Sequence, residues 1–360
     1  MDAAVIGAGI GGLAAGIALR AAGVSVVVYE SGERLRPVGA GLSIWPNGVK
    51  ALRALGLGQI ADDAPRGGGA LRRADGTELA GFDPEAIADR YGAPLVALDR
   101  GELHGALLAG LGQERLRLGM RAIGLDEDVV RFADGSEARA ALVVGADGLG
   151  SVVRERLLRD GEPADSGIVA FRGLSDWSGP VPAGEWWGKR SIAGLLPLAS
   201  GAVYWYLAAR GEPDPDLLAD RLTEYGPPLP AIAARTAPAD VLCHRLYDRP
   251  PAQRWSDGAA TLLGDAAHPM LPFLGQGACS ALEDAVALGG AVAASADIRA
   301  ALVEYERRRV GRTASLVRGS RRAASVALLG SGLARRLRDA LVGRAPESVR
   351  LRQLDAAVGR

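Results

Sequence analysis

The chain has 360 residues, 48% hydrophobic and 23% charged, enough apolar material for one large domain or two coupled ones. Lysine plus arginine equals aspartate plus glutamate, so the formal net charge is zero; the global balance argues against a nucleic-acid or acidic-membrane partner and leaves only local patches open. Two cysteines, Cys243 and Cys279, give no disulfide framework, and with three histidines they show no metal-ligand spacing, so no metal is expected and a reducing, cytoplasmic setting fits.

Ala3 to Ile6 is a short apolar run, followed by Gly7-Ala8-Gly9-Ile10-Gly11-Gly12. Leu13 to Ala22 is alanine-rich and helix-compatible, Gly23 stops it, and Val24 to Tyr29 is a β-branched run closed by Glu30. Strand, glycine turn, helix and strand make a β-α-β unit, and the unbroken apolar character of both strands fits a parallel sheet covered on both faces. Gly7 permits the tight turn, Gly9 lets the backbone approach a pyrophosphate, and Gly12, after Gly11, allows close helix–strand packing. The helix start offers free N–H groups to phosphates. Glu30 stands where an acid bonds ribose hydroxyls, about 20 residues on. The motif implies a dinucleotide without choosing NAD over FAD.

Asn47 to Leu55 reads as a helix entered through Pro46, and Asp75-Gly76 and Asp134-Gly135 read as hairpin turns. In Leu98-Asp99-Arg100-Gly101-Glu102-Leu103, Asp99 is placed to cap a helix, and Arg100 either reaches a phosphate or is an exposed helix-start arginine. Ala141 to Val144 is a buried strand running into Gly145-Ala146-Asp147-Gly148, before a helix that carries Arg154. Phe171 to Ala208 holds Trp177, Trp186, Trp187 and Trp205 with little helical periodicity, and predicts an antiparallel sheet. One helical stretch, Leu217 to Tyr225, interrupts a proline-rich segment.

Ala260 to Leu263 is a buried strand that delivers Gly264-Asp265-Ala266-Ala267-His268-Pro269. Asp265 can accept from a ribityl hydroxyl or cap a turn, and His268 reads as a hydrogen-bonded structural histidine. Gly275-Gln276-Gly277 then launches a long helix, Gly277 to Ala293, whose start can stabilise negative charge. The remainder is mostly helical, and the charge-dense Glu304 to Arg312 reads as a solvated face. No apolar stretch is long enough to span a membrane. The predicted class is α/β: a Rossmann-like cofactor-binding domain (1–66, 95–165 and 250–325), an inserted mostly antiparallel β-sheet substrate domain (67–94 and 166–249), and a C-terminal helical segment (326–360).

These segments, in this order, resemble the class A FAD-dependent monooxygenases, the para-hydroxybenzoate hydroxylase-like family, over roughly Met1 to Arg318. Gly7 to Gly12, the Asp147-Gly148 segment and Gly264 to Gly277 match its three motifs. Gly39 to Lys50 resembles the flavin-side loop and helix of the urate, salicylate and 3-hydroxybenzoate hydroxylase branch. The resemblance implies that Glu30 binds the adenosine ribose, Ser43 lies near the flavin, Arg100 contacts the FAD phosphates and Ala122 meets the adenine. Asp147, with Arg154, would support the nucleotide, and Asp265 the ribityl chain. Gly275, Gln276, Gly277, Ala278 and Cys279 would offer backbone donors beside the isoalloxazine. Arg190 and Tyr204 match substrate-pocket positions and are the catalytic candidates. Arg172 stands where urate hydroxylases carry asparagine; it suits a carboxylate or phenolate, or serves as a structural ion-pair partner.

The implied activity is hydroxylation of an aromatic or heteroaromatic small molecule with NADH or NADPH and O2, through a flavin C4a-hydroperoxide, by a monomer or homodimer. The same cofactor chemistry would serve a urate hydroxylase, an epoxidase or a tailoring enzyme on a larger natural product. A flavin-dependent reductase and a flavin-bound sensor are the alternatives outside monooxygenation.

Overall fold

The glycine run does what its spacing predicts, three residues sooner. Strand β1 (Asp2–Ile6) turns through Gly7 and helix α1 (Ile10–Ala21) begins inside the motif, before β2 (Ser25–Tyr29). The computed structural model describes residues 1–35 and 41–359, so Gly39 and Ala40 of the expected flavin-side loop lie outside the described residues. Around β1 stands a five-stranded sheet in the order β17-β11-β1-β2-β7, with β7 at Leu116–Arg117, β11 at Leu142–Gly145 and β17 at Ala260–Leu262. Every pairing in it is parallel. Val5, Val26, Val28, Leu142, Val144 and Leu262 are all buried, as strands covered on both faces require.

Next in the chain come β3 (Gly41–Ile44), α2 (Pro46–Ala54) with proline at its first position, and the short α3 (Gln59–Asp62). The hairpin β4 (Gly69–Arg73) and β5 (Glu78–Phe82) turns at Asp75-Gly76, where the Asp75 carboxylate accepts from the Thr77 amide. After α4 (Pro84–Tyr91), β6 (Val96–Asp99) returns to pair antiparallel with β3 and leads into α5 (Arg100–Leu111). A meander of β8 (Ala122–Asp126), β9 (Val129–Phe132) and β10 (Glu137–Arg139) contains the Asp134-Gly135 turn, and α6 (Val152–Leu158) follows β11.

The second large sheet has seven strands in the order β16-β12-β15-β14-β13-β4-β5. Its long strands are β12 (Ala164–Ser175), β14 (Ser191–Pro197), β15 (Val203–Arg210) and β16 (Leu242–Asp248), with β13 at Gly184–Trp187. All pairings are antiparallel except β13 with β4. One face packs Phe171, Trp186, Leu195 and Trp205 against Leu229 and Ile232 of α8 (Leu229–Ala233). There the Trp205 indole donates to Thr236 Oγ1 at 2.7 Å, the partner that a buried indole needs. The helix expected at Leu217 to Tyr225 is α7 (Pro215–Leu222); Tyr225 lies beyond its end, buried in this core.

The chain closes with α9 (Gly277–Ala293), α10 (Ile298–Ala327), α11 (Gly332–Arg344) and α12 (Glu347–Val358). The expectation of a solvated face over Glu304 to Arg312 holds for Glu304, which pairs with Arg307 and Arg308. It fails for its neighbours: Glu306 accepts from the amides of Trp255 and Ser256, and Arg309 is buried against Asp284. A charge-dense helix sequence does not show which charges are turned inward.

A Cβ on Gly12 would sit 1.9 Å from the Gly7 carbonyl oxygen, a backbone atom that cannot swing away. Gly12→Ala is therefore expected to destabilise the protein by roughly 1–3 kcal/mol or more, read as a lower thermal midpoint.

Candidate functional site

The first half of the site is the glycine turn and what holds it. Gly7 takes φ +101°, its amide donates to the Tyr29 carbonyl at 2.7 Å, and the Glu30 carboxylate accepts from the amides of Ala8 at 2.9 Å and Gly32 at 2.8 Å. Glu30 thus ties the turn to the end of β2. His104 of α5, unremarked in the sequence, fixes the same turn through the Ala8 carbonyl at 2.7 Å. Beside Gly9, space is open to 4 Å where a Cβ would stand, the clearance a pyrophosphate needs against backbone. Asp99 caps α5 through the amides of Gly101 and Glu102, leaving Arg100 exposed at the first helical position. Ala122 opens β8 opposite Phe132, whose ring packs on Tyr29, so it lies beside the strand end that carries Glu30.

Asp147 and Arg154 act inward. The Asp147 carboxylate accepts from Ser151 Oγ at 2.5 Å and the Val152 amide at 2.8 Å; burial raises its pKa, with the Ser151 hydrogen bond opposing. Arg154 is buried, donating to the carbonyls of Ala266 and Ala267 at 2.8 Å each and pairing with Asp160. It braces the Asp265 loop from behind.

That loop and the start of α9 form the second half. Asp265 is open to the cleft, yet protein crowds it elsewhere; burial raises its pKa while the charges of His268 and Arg100 oppose the rise. Behind it, Asp284 of α9 accepts from the Gly264 amide (3.1 Å), His268 Nε2 (2.5 Å) and Arg309 Nε (2.6 Å). Burial alone would raise the Asp284 pKa; the charges of His268 and Arg309 override it and hold the carboxyl at about 2. His268 is thus the hydrogen-bonded structural histidine the sequence suggests.

Gly275 turns the chain at φ +62°, and the Ser280 amide is the first in α9 to close a turn, onto the Gln276 carbonyl. The amides of Gly277, Ala278 and Cys279 are therefore free for a ligand. Gln276 is buried, bonded to Asn47 at 2.9 Å, with its Nε2 unpartnered among the described residues. The Cys279 thiol accepts from the Trp45 amide, and burial pushes its pKa up to about 12, so it is packing rather than a nucleophile.

The third wall is the other face of the seven-stranded sheet, part of which packs on α10 through Ile168, Ala170, Ile192 and Ala208. Register aligns Arg172 of β12 with Tyr206 of β15, Tyr206 with Gly194 of β14, and Gly194 with Glu185 of β13, giving one row on one face. Tyr204, two residues before Tyr206, shares that face and packs on Ala97 of β6 and on Leu198. A Cβ on Gly41 would lie 2.7 Å from the Tyr204 ring, so β3, with Ser43, passes directly over this tyrosine. Burial pushes the Tyr204 hydroxyl up to about 12, against the charge and hydrogen bond of Arg172. Arg172 also reaches His244 Nδ1 at 3.3 Å, and its Nε has no partner among the described residues. Arg172 makes no ion pair among the described residues, so the structural ion-pair reading has no partner here.

Glu185 was not legible in the sequence. It accepts from Tyr206 OH at 2.7 Å and from the Trp187 indole at 2.5 Å, and burial raises its pKa with no cation in contact among the described residues. The only advance signal was a lone acid beside two tryptophans on a short strand.

Arg190 corrects an expectation. It sits at the β13–β14 turn at φ +58°, exposed, its side chain against Gly330 and its amide donating to the Leu329 carbonyl. Ser191 pairs with Ala209 whereas Tyr204 pairs with Leu196, so five residues of β15 separate the two. That is about 17 Å at strand rise, and the structure does not bring Arg190 to Tyr204. A separate solvent-open cavity of about 800 Å³, lined by Lys50, Tyr91, Glu283 and Arg308 among others, shares no residue with the glycine turn or this sheet face.

Known proteins agree with this architecture. Residues 1–320 match the family model described as FAD binding domain. The aurachin C monooxygenase/isomerase of Stigmatella aurantiaca is 37% identical over 88% of this chain and 87% of its own. The FAD-dependent urate hydroxylase of Klebsiella pneumoniae is 35% identical over 89% of each. The chain belongs to the FAD-dependent monooxygenase family. The crystal structure of Klebsiella pneumoniae HpxO complexed with FAD and uric acid superposes with a TM-score of 0.92 at 29% identity, covering 99% of this chain and 96% of that one. For a member of this family, the clearance beside Gly9, the free amides of α9 and the orphaned Gln276 Nε2 form a cradle that fits FAD.

Because the Asp284 pKa is lower folded than unfolded, its contribution to stability is full above about pH 4 and is lost as pH falls toward 2, on the order of 2 kcal/mol. Denaturant melts across that window should show the loss, and Asp284→Asn should flatten it while lowering stability at neutral pH.

Proposed function

We propose that this protein hydroxylates an aromatic or heteroaromatic ring bearing an anionic group, using O2 and NADH or NADPH. The observation that carries the reading is the placement of Arg172 and Tyr204 on one face of the seven-stranded sheet, with β3 passing over Tyr204. Bound FAD would supply the electron transfer and oxygen activation. Glu30, Arg100, Ala122 and Asp147 would hold or support its nucleotide half, Asp265 its ribityl chain, and Ser43 with residues Gly275 to Cys279 its ring system. The helix start offers positive dipole and free amides to negative charge on that ring.

On the substrate side, Arg172 binds the anionic group through its guanidinium and draws it out of water. The Tyr204 hydroxyl stays protonated at neutral pH, and so orients a ring oxygen by donating to it. Glu185 accepts protons for this face through Tyr206 OH, and burial suits it to hold one. An arginine here favours a carboxylate or phenolate over urate. Urate hydroxylase stays in the test because of the similar enzymes from Klebsiella.

The purified protein should show a flavin spectrum and oxidise NADH or NADPH faster when 3-hydroxybenzoate or a related hydroxybenzoate is added, with oxygen uptake and a hydroxylated product. Urate as the better stimulant would overturn the preference for a carboxylate- or phenolate-bearing ring, and no flavin after FAD addition would overturn the reading as a whole. Arg172→Ala should raise KM for a carboxylated ring about tenfold or more at similar kcat, the signature of lost ground-state binding, whereas Tyr204→Phe should lower kcat.

A further inference from the structure

Zero net charge conceals a strong polarity along the chain. Residues 299–360 carry fifteen arginines against five acids, so residues 1–298 carry a net charge of −10. Such asymmetry marks a surface for an anionic partner. Part of that positive charge is internal: Arg309 is consumed by Asp284, and Arg338 lies buried 4.6 Å over the Trp187 ring, bonded to Asp339 and the Ala327 carbonyl. The exposed remainder includes α11.

Helix α11 has two unlike faces. Its inner face, with Arg338 and Asp339, is locked down by the Trp187 contact and by an ion pair from Asp339 to Arg73 of β4. Its outer face presents Leu333, Leu337 and Leu341, spaced one turn apart and 79%, 61% and 65% exposed. At 100° per residue, exposed Arg336 and Arg344 fall in the same arc. No acid does, since Asp339 is turned inward and paired. The adjoining end of α10 exposes Arg322 and, one turn on, Val326.

Three large exposed leucines in one stripe call for a cover. A second copy of the chain is a poor one: pairing this face with itself would set Arg336 and Arg344 against like charges with no acid to answer them. A bilayer with anionic headgroups answers both features. Leucines enter the acyl boundary while the arginines reach up to phosphate. We propose that the outer face of α11 is a docking surface for an anionic phospholipid bilayer, held as an in-plane peripheral helix. No helix among the described residues is long and apolar enough to cross a membrane, so this attachment is to the surface. Through Arg338 on Trp187, the docked helix is coupled to β13 of the substrate-facing sheet.

The test is flotation of the full FAD-loaded protein with vesicles of phosphatidylcholine alone or mixed equally with phosphatidylglycerol, at low and high salt. The protein should float with the anionic vesicles, and less so at high salt. Leu333→Ser, Leu337→Ser and Leu341→Ser combined, or Arg336→Glu with Arg344→Glu, should each cut binding about tenfold or more. All five side chains are exposed, and an unchanged thermal midpoint and FAD content would certify the fold of each variant. Failure of the wild type to float with anionic vesicles at low salt overturns the proposal, as does binding that survives both sets of substitutions. A dimer seen by light scattering and dissolved by the leucine substitutions would reassign the face to a second copy and overturn it as well.

Discussion

A single buried carboxylate organises the flavin side of this molecule. Asp284 gathers the amide of Gly264, the ring of His268 and the guanidinium of Arg309 at one point, joining the loop after β17 to α9 and α10. A buried anion is tolerated only when its partners are held in place, so the three elements cannot drift independently. Arg154 completes the bracing from the other side by holding the carbonyls of Ala266 and Ala267. The Asp265 loop is thereby fixed between two internal arginines without either reaching into the cleft.

The two sheets divide the work. The parallel sheet, covered on both faces, presents its chemistry only at strand ends, where Glu30, the Gly145–Asp147 segment and the Asp265 loop lie. The seven-stranded sheet packs one face with its own tryptophan core; on the other, Ile168, Ala170, Ile192 and Ala208 pack against Leu271 and α10, and Arg172, Tyr204, Tyr206 and Glu185 share that face. Strand β3 crosses between the two at Gly41.

What was legible in the sequence follows the range of the interactions. The glycine turn, the Asp99 cap and the Gly277 helix start are local, written within a dozen residues of one another, and they read correctly. So does the character of His268, set beside proline. Positions across a sheet are not local. Arg190 and Tyr204 are only fourteen residues apart, yet the hairpin register carries them to different ends of β15. Glu185 joins Tyr206 through Gly194, three residues on three strands, and no spacing in the sequence announces it. Burial of single charges in a dense run, as at Glu306 and Arg309, likewise depends on which neighbour the helix meets.

The place of Gly194 has a consequence for how such a protein diversifies. A Cβ there would lie 2.3 Å from the Tyr206 ring, so the ring rests flat on bare backbone and its hydroxyl is aimed at Glu185 by that flatness. Any larger residue at this position would tip the ring and part the tyrosine from its acid in a single codon change, leaving the cofactor half untouched. The geometry of the Tyr206–Glu185 pair is therefore set by a residue that has no side chain of its own.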